Sequence, residues 1–253
     1  MNKTVLITGA TAGIGKACTH KFAENGFNLI ISGRRTDRLE TMASELNSKY
    51  GVEVLPIVLD VRNKDEVYGA ISSLPARWKN IDVLVNNAGL ALGLSPFQEG
   101  DAEDWDIMID TNIKGLLYVG KAVANIMIPR GEGHIINIGS IAGKEVYPKG
   151  NVYSATKHAV DALTKGMRQD LLKDGIRVTQ IAPGAVETEF SKVRFKGNDK
   201  RASMVYQGYR PLHAEDVAEA VYFTSSLPQH VNINDIVIMP TDQANASTFN
   251  KNF

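Results

Sequence analysis

A short apolar run, Thr4-Val-Leu-Ile-Thr8, leads without a break into Gly9-Ala-Thr11-Ala-Gly13-Ile14-Gly15, and helical spacing begins at once after it. Three glycines in seven positions, between a first strand and a first helix, leave the backbone few options. They permit a tight turn, a close approach of a phosphate to main-chain N–H groups, and close packing of helix on strand. The positive end of the helix then faces that phosphate. The spacing is G-x-x-x-G-x-G rather than the commoner G-x-G-x-x-G. Such a stretch is also compatible with a plain turn. Its place at the first strand–helix junction favours a nucleotide, with Gly9, Thr11, Gly13, Ile14 and Gly15 as the expected contacts.

The rest of the chain repeats that alternation. KTVLIT, FNLIIS, EVLPIVL, IDVLVN, GHIINIG, RVTQIA and DIVIMP read as strands, with helix-like stretches near 14–25, 36–49, 64–76, 102–128, 152–172 and 214–225. Seven apolar strands separated by crossover-length helices predict a mostly parallel sheet covered on both faces. No repeat or linker-like tract divides the 253 residues, so one domain over 1–253 is expected. Residues 184–212 are long and mixed in character, where a substrate lid, near 185–212, would lie.

Composition removes several function classes. Lys plus Arg equal Asp plus Glu at 28 each, so no nucleic acid or anionic membrane is expected as a partner. A single cysteine, Cys18, forms no internal disulfide framework and reads as a small helix-face hydrophobe. No apolar run reaches the roughly 18 residues of a membrane span, and the chain enters a strand with no signal-peptide core. The reducing cytoplasm is the expected compartment. No histidine has metal-ligand spacing, and no metal is expected.

The ends of the strands carry the next signals. The second ends in Ser32-Gly33-Arg34-Arg35, where NAD binders usually place a carboxylate for the ribose 2′-OH. Guanidiniums pair with a 2′-phosphate, so Arg34 and Arg35 favour NADP(H). Two solvated arginines are the plainer alternative, and the non-basic Ala12 is a counter-signal. After the third strand, Asp60, next to Val61, either accepts from an adenine amino group or caps the helix beginning near Asn63. After the fourth, Asn86 braces backbone, and Asn87-Ala88-Gly89 let an adenosine ribose lie close.

Asn112 interrupts a helical pattern, which is unfavourable unless its side chain has a task; bending the helix around a water and facing solvent are the two alternatives. Ser140 follows the run HIINIG, and Tyr153-Ser-Ala-Thr-Lys157 opens a helical stretch. Residues four apart share a helix face, so the Tyr153 phenol and the Lys157 ammonium stand together. A neighbouring cation lowers a phenol from its usual ~10 towards the range where general acid–base work is efficient. Ser140 would hydrogen-bond a substrate oxygen that Tyr153 also reaches. A Tyr-x-x-x-Lys pair alone is equally an ordinary amphipathic helix.

Read in order, TGATAGIG, NNAG, Asn112, Ser140, YSATK and Pro183-Gly184 resemble the short-chain dehydrogenase/reductase family over essentially the whole chain. The resemblance implies an α/β, single-domain, Rossmann-type, doubly wound seven-stranded parallel sheet with helices on both faces. It implies assembly as a dimer or tetramer, with a homotetramer expected. It makes Tyr153 the acid–base residue and gives Lys157 both the lowering of its pKa and the nicotinamide ribose. Ser140 positions the substrate oxygen, and Asn112 holds a water linking Lys157 to solvent. Pro183, Gly184, Val186 and Thr188 match the segment that orients the nicotinamide carboxamide.

NNAGLALG, EDWDIMIDTN, ETEFSKVRFKGN, LPQHVNIN and IMPTDQA further resemble the NADP-dependent 3-hydroxy acid dehydrogenases, acting on serine, L-allo-threonine, 3-hydroxyisobutyrate or 3-hydroxypropionate. A small hydroxy acid or semialdehyde is therefore the expected substrate. Its carboxylate needs a cation. KVRFKG offers Arg194 and Lys196, and Arg194 can hold a carboxylate bidentately. Glu145, Val146, Tyr147 and Phe190 are expected pocket walls. Three rivals stand beside this reading: a reductase of the same fold for a bulkier ketone or aldehyde, an epimerase or dehydratase of the extended branch, and a non-catalytic NADP(H)-sensing protein. The short C-terminal region argues against the second.

Overall fold

Alternate residues of the strands point to opposite faces of one sheet, and both faces are apolar, so each must be covered. Val5, Ile7, Leu29, Ile31, Val85, Ile136 and Ile181 build one core; Leu6, Ile30, Leu84, Ile135 and Val178 build the other. A computed structural model describes residues 2–252; the first and last residues of the expected domain lie outside it. The strands are β1 (Thr4–Thr8), β2 (Asn28–Gly33), β3 (Val54–Val58), β4 (Val83–Asn86), β5 (Gly133–Ile138), β6 (Ile176–Pro183) and β7 (Asp235–Ile238). All pair in parallel, in the order β3-β2-β1-β4-β5-β6-β7. This is the expected Rossmann-type sheet. The order reverses between β1 and β4, and the carboxyl ends there form the crevice in which such sheets take ligands.

The helices are α1 (Gly13–Glu24), α2 (Thr36–Tyr50), α3 (Lys64–Ser72), α4 (Ala102–Ile109), α5 (Leu116–Met127), α6 (Asn151–Asp170), α7 (Phe190–Arg194), α8 (Asp199–Met204) and α9 (Ala214–Ser226). Cys18 is buried on α1, as expected of a small hydrophobe, and burial pushes its thiol up to about 12.

Two expectations need correction. The single helix expected over 102–128 is two helices joined by a π-helical turn, Asp110–Gly115. Asn112 sits in that turn and is buried, so neither a solvent-facing side chain nor a plain helix describes it. The stretch 184–212, expected to be irregular, contains α7 and α8, which are too short to show a period in sequence.

Candidate active site

The glycine turn packs as its spacing requires. Gly13 has φ of +49°, and a Cβ there would lie 3.2 Å from the Thr188 side chain. A Cβ on Gly15 would run into the Gly9 carbonyl and lie 2.5 Å from Asn87 Nδ2. The β1 and β4 ends are tied at the same place: Thr8 Oγ1 accepts from the N–H groups of Asn87 and Ala88, and Asn87 Nδ2 donates to Thr8 O at 2.8 Å. Asn86 braces backbone as expected, donating to Leu116 O.

A cleft of about 350 Å³ runs from these strand ends towards β5 and β6. Thr11, Ile14, Arg34, Arg35, Asp60, Val61 and Ala88 line it on one side; Gly89, Ser140, Tyr153, Lys157, Pro183, Gly184, Val186 and Thr188 line it on the other. Gly9, Gly13 and Asn87 form its floor, while Gly15 lies beneath it as a packing residue.

The two arginines differ. Arg35 donates to Thr11 Oγ1 at 2.8 and 3.2 Å and pairs with Glu189 at 3.1 Å. Glu189 also takes Arg38 at 3.0 Å, and the two guanidiniums hold its carboxyl below the usual range after burial is offset. Arg34 makes no ion pair among the described residues and lines the cleft. Ser32 and Thr111 line the same cleft with buried hydroxyls that lack partners. A glycine cradle, unpaired buried hydroxyls and a free guanidinium fit a phosphate-bearing dinucleotide. Asp60 does not cap α3; Asn63 does, accepting from the Asp65 and Glu66 N–H groups. Asp60 is gripped by Arg62 at 2.6 Å, and this pairing holds its carboxyl low.

Tyr153 and Lys157 open α6 on one face, both buried, with Ser140 at the start of a short turn behind β5. Ser140 Oγ accepts from Ala142 N–H at 3.1 Å and donates to Pro183 O at 3.5 Å. Lys157 Nζ donates to Ile138 O at 2.9 Å, and burial pulls the ammonium down to about 8. Asn112 Oδ1 accepts from Leu90 N–H while Nδ2 donates to Leu90 O and Thr156 Oγ1. Both amide protons are thus spent, leaving one acceptor site on Oδ1. A Cβ on Gly89 would lie 3.2 Å from that oxygen and 3.6 Å from Lys157 Nζ, so the glycine keeps the space between them.

Burial dominates and pushes Tyr153 well above the usual phenol range, and the nearby Tyr147 adds to it. Hydrogen bonding with Ser140 and the charge of Arg194 draw it back.

A second cavity of about 330 Å³ shares Tyr153 as a wall and contains Arg194, Asn151, Asp101, Asp104, Trp105 and Lys196. Arg194 Nε donates to Gly93 O at 3.0 Å. Lys196 is committed to Asp104 at 2.9 Å and Asp101 at 3.4 Å, which removes it as a free cation. Phe190 packs edgewise on Tyr153 with ring centres 5.6 Å apart, and Tyr147 joins the same apolar cluster. Glu145 and Val146 are not pocket walls. The Glu145 carboxylate accepts from Ala246 N–H, and Val146 is exposed to solvent.

Glu189, Arg38, Ser32, Thr111 and Gly93 escaped the reading of the sequence. Only Ser32, beside Arg34 at a strand end, carried a positional signal; Glu189 meets Arg35 across 154 residues.

A family model described as short chain dehydrogenase matches residues 3–199. A protein of Salmonella typhi named NADP-dependent 3-hydroxy acid dehydrogenase YdfG is 51% identical over 241 residues, 95% of this chain and 96% of that one. Sulfoacetaldehyde reductase 2 of Chromohalobacter salexigens is 47% identical over 245 residues, 96% of each chain. A structure described as the closed form of serine dehydrogenase complexed with NADP+ superposes with a TM-score of 0.91 at 50% identity, covering 96% of this chain and 97% of that one.

Proposed function

The chain belongs to the short-chain dehydrogenase family, and from that premise we propose that it transfers hydride between NADP(H) and a small 3-hydroxy acid. The carrying observation is that Tyr153 walls both cavities, the cleft with the glycine turn and the chamber with Arg194. A proton-transfer group at such a junction reaches a substrate whose anionic head lies in the chamber and whose carbinol faces the cleft.

The bound dinucleotide supplies the hydride acceptor or donor. Arg34, with Arg35 and Thr11 beside it, takes the 2′-phosphate, and the N–H groups around Gly13 and Ile14 take the pyrophosphate. Ser140 donates its proton to the substrate oxygen and holds it against Tyr153. Tyr153 removes the hydroxyl proton during oxidation and returns it during reduction. Lys157 holds the nicotinamide ribose, and Asn112 keeps beside it a water that leads protons to solvent. Arg194 clamps the carboxylate through its terminal nitrogens. The segment 185–212 acts as the lid of a single unit spanning 1–253.

The same arrangement favours a second substrate. A sulfonate one methylene from an aldehyde places an anion as a semialdehyde carboxylate does, and the 47% identity to a sulfoacetaldehyde reductase supports including it. We place the protein in the reducing cytoplasm as a homotetramer. A buried, unreactive Cys18 supports the first, and no described helix is long and apolar enough to cross a membrane.

The test is to incubate the protein with NADP+ and L-serine, L-allo-threonine, 3-hydroxyisobutyrate or 3-hydroxypropionate and follow reduced cofactor. NADPH with anionic and bulky neutral carbonyls gives the reverse reaction. Small anionic substrates should lead in kcat/KM. Preference for bulky neutral carbonyls would replace this reading with a general carbonyl reductase, and cofactor binding without any turnover would replace it with a sensor.

A further inference from the structure

Arg194 is held more firmly than a substrate clamp alone requires. The Gly93 N–H donates to Arg194 O, and Arg194 Nε donates back to Gly93 O, both at 3.0 Å. Gly93 adopts φ of +66°, so this reciprocal pair forms on a left-handed turn that few other residues would tolerate. The guanidinium carbon lies 5.5 Å from the Tyr147 ring centre and 5.7 Å from that of Tyr153. Two rings and one carbonyl therefore set its position. Phe190, one helical turn earlier on α7, covers the Tyr153 ring from the edge.

We propose that Arg194 is a positioning residue for proton transfer, a cation carried on the lid that stabilises the Tyr153 phenolate in addition to holding the substrate's anionic head. The inference rests on Tyr153 being the proton-transfer group. Its physical basis is the partition of charge around the ring. Lys157, the other cation of the site, is buried and bonded to Ile138 O. A guanidinium stays protonated under all such conditions and tolerates partial burial better than an ammonium. The other polar groups facing the phenol are the neutral Tyr147 and Ser140. The direction of Arg194's influence on the phenol agrees with the geometry. Because the Gly93–Arg194 pair exists only when α7 lies against the loop after β4, phenolate formation is coupled to lid position. Lid opening would remove that contribution.

The experiment titrates one phenol. Tyrosinate absorption is followed against pH in NADP+-saturated protein, and the Tyr153→Phe spectrum in the same background is subtracted, for the wild type, Arg194→Met and Arg194→Lys. Arg194→Met should raise the Tyr153 midpoint by about one pH unit, a tenfold loss of phenolate at fixed pH, and Arg194→Lys should restore part of it. An unmoved midpoint, with only kcat/KM for L-serine reduced, would make Arg194 a carboxylate clamp and nothing more. A Lys variant no better than Met would assign the effect to packing and also overturn the proposal, as would a wild-type phenol that stays protonated until the protein unfolds. Turnover surviving in Tyr153→Phe itself would instead reject the underlying role of Tyr153.

Discussion

Lys157 Nζ donates to the main-chain carbonyl of Ile138 at 2.9 Å, inside a site where its ammonium is almost wholly withdrawn from water. Its folded-state pKa of about 8 lies below the 10.5 of the unfolded chain, so the fold favours the neutral amine. The unfolded chain therefore binds more protons between those values. Stability from this group rises as pH climbs from about 8 to 10.5 and is lowest below that window. Lys157→Met should gain on the order of 3 kcal/mol at pH 7, less the lost hydrogen bond, while losing turnover. Urea midpoints for both proteins from pH 7 to 10.5 check this. A gap that fails to narrow with rising pH would refute it.

Tyr153→Phe removes only the phenolic oxygen from a ring packed against Phe190. The variant should bind NADPH within about threefold of the wild type, because apolar packing is retained, yet fall by about 10³ or more in kcat. Equilibrium binding by cofactor fluorescence and steady-state rates give the two numbers. Near-normal rates would remove Tyr153 from proton transfer.

Arg34→Ala and Arg35→Ala should separate. Arg34 makes no ion pair among the described residues, so its loss should weaken NADPH by roughly ten- to a hundredfold and leave NADH nearly unchanged. Arg35 also ties Thr11 to Glu189, so its loss should weaken both dinucleotides. Titrations with NADPH and NADH decide. Equal losses on Arg34→Ala would move the 2′-phosphate contact elsewhere.

His134 is buried on β5, with Nε2 2.7 Å from Thr179 Oγ1, and burial pulls its pKa down to about 3, helped by the Arg177 charge. The unfolded chain takes up a proton below about 6.5 while the fold refuses it until about 3. Stability should fall as pH drops through that window, with a limiting slope of about 1.4 kcal/mol per pH unit. His134→Gln should flatten this limb, which denaturant midpoints between pH 6.5 and 4 would reveal. An unchanged slope would place the acid sensitivity in the carboxylates.

The five inner strands were legible because each is an apolar run buried on both faces, a demand local to the run, and the half-exposed edge strands β3 and β7 showed through their β-branched residues. The glycine turn was legible for a similar reason, since Gly9 and Gly13 answer to a left-handed backbone at their own positions. The residue pattern alone showed Asn112 only as an interruption of a helix, and its assigned task came from the family resemblance. Its π-helical turn depends on Leu90 and Thr156, which lie 22 and 44 residues away and leave no periodic trace. Glu189 was hidden in the same way, one acidic residue among many until the fold set it against Arg35 and Arg38. Of the two alternatives open for Asp60, the cap falls away because Asn63, adjacent to α3, takes that position and Asp60 pairs with Arg62.

One fastening has a practical reach. Thr11, Arg35 and Glu189 form a continuous chain of bonds from the glycine turn to the segment before α7, and its ionic link is close to half exposed on both sides. Ionic strength is therefore a dial on that link: mobile ions weaken the attraction across it while leaving Ser140, Tyr153 and Lys157 behind their apolar cover. Kinetics recorded in dilute buffer and at physiological salt would then describe differently fastened forms of one protein, and rate constants for cofactor exchange carry meaning only with the salt concentration beside them.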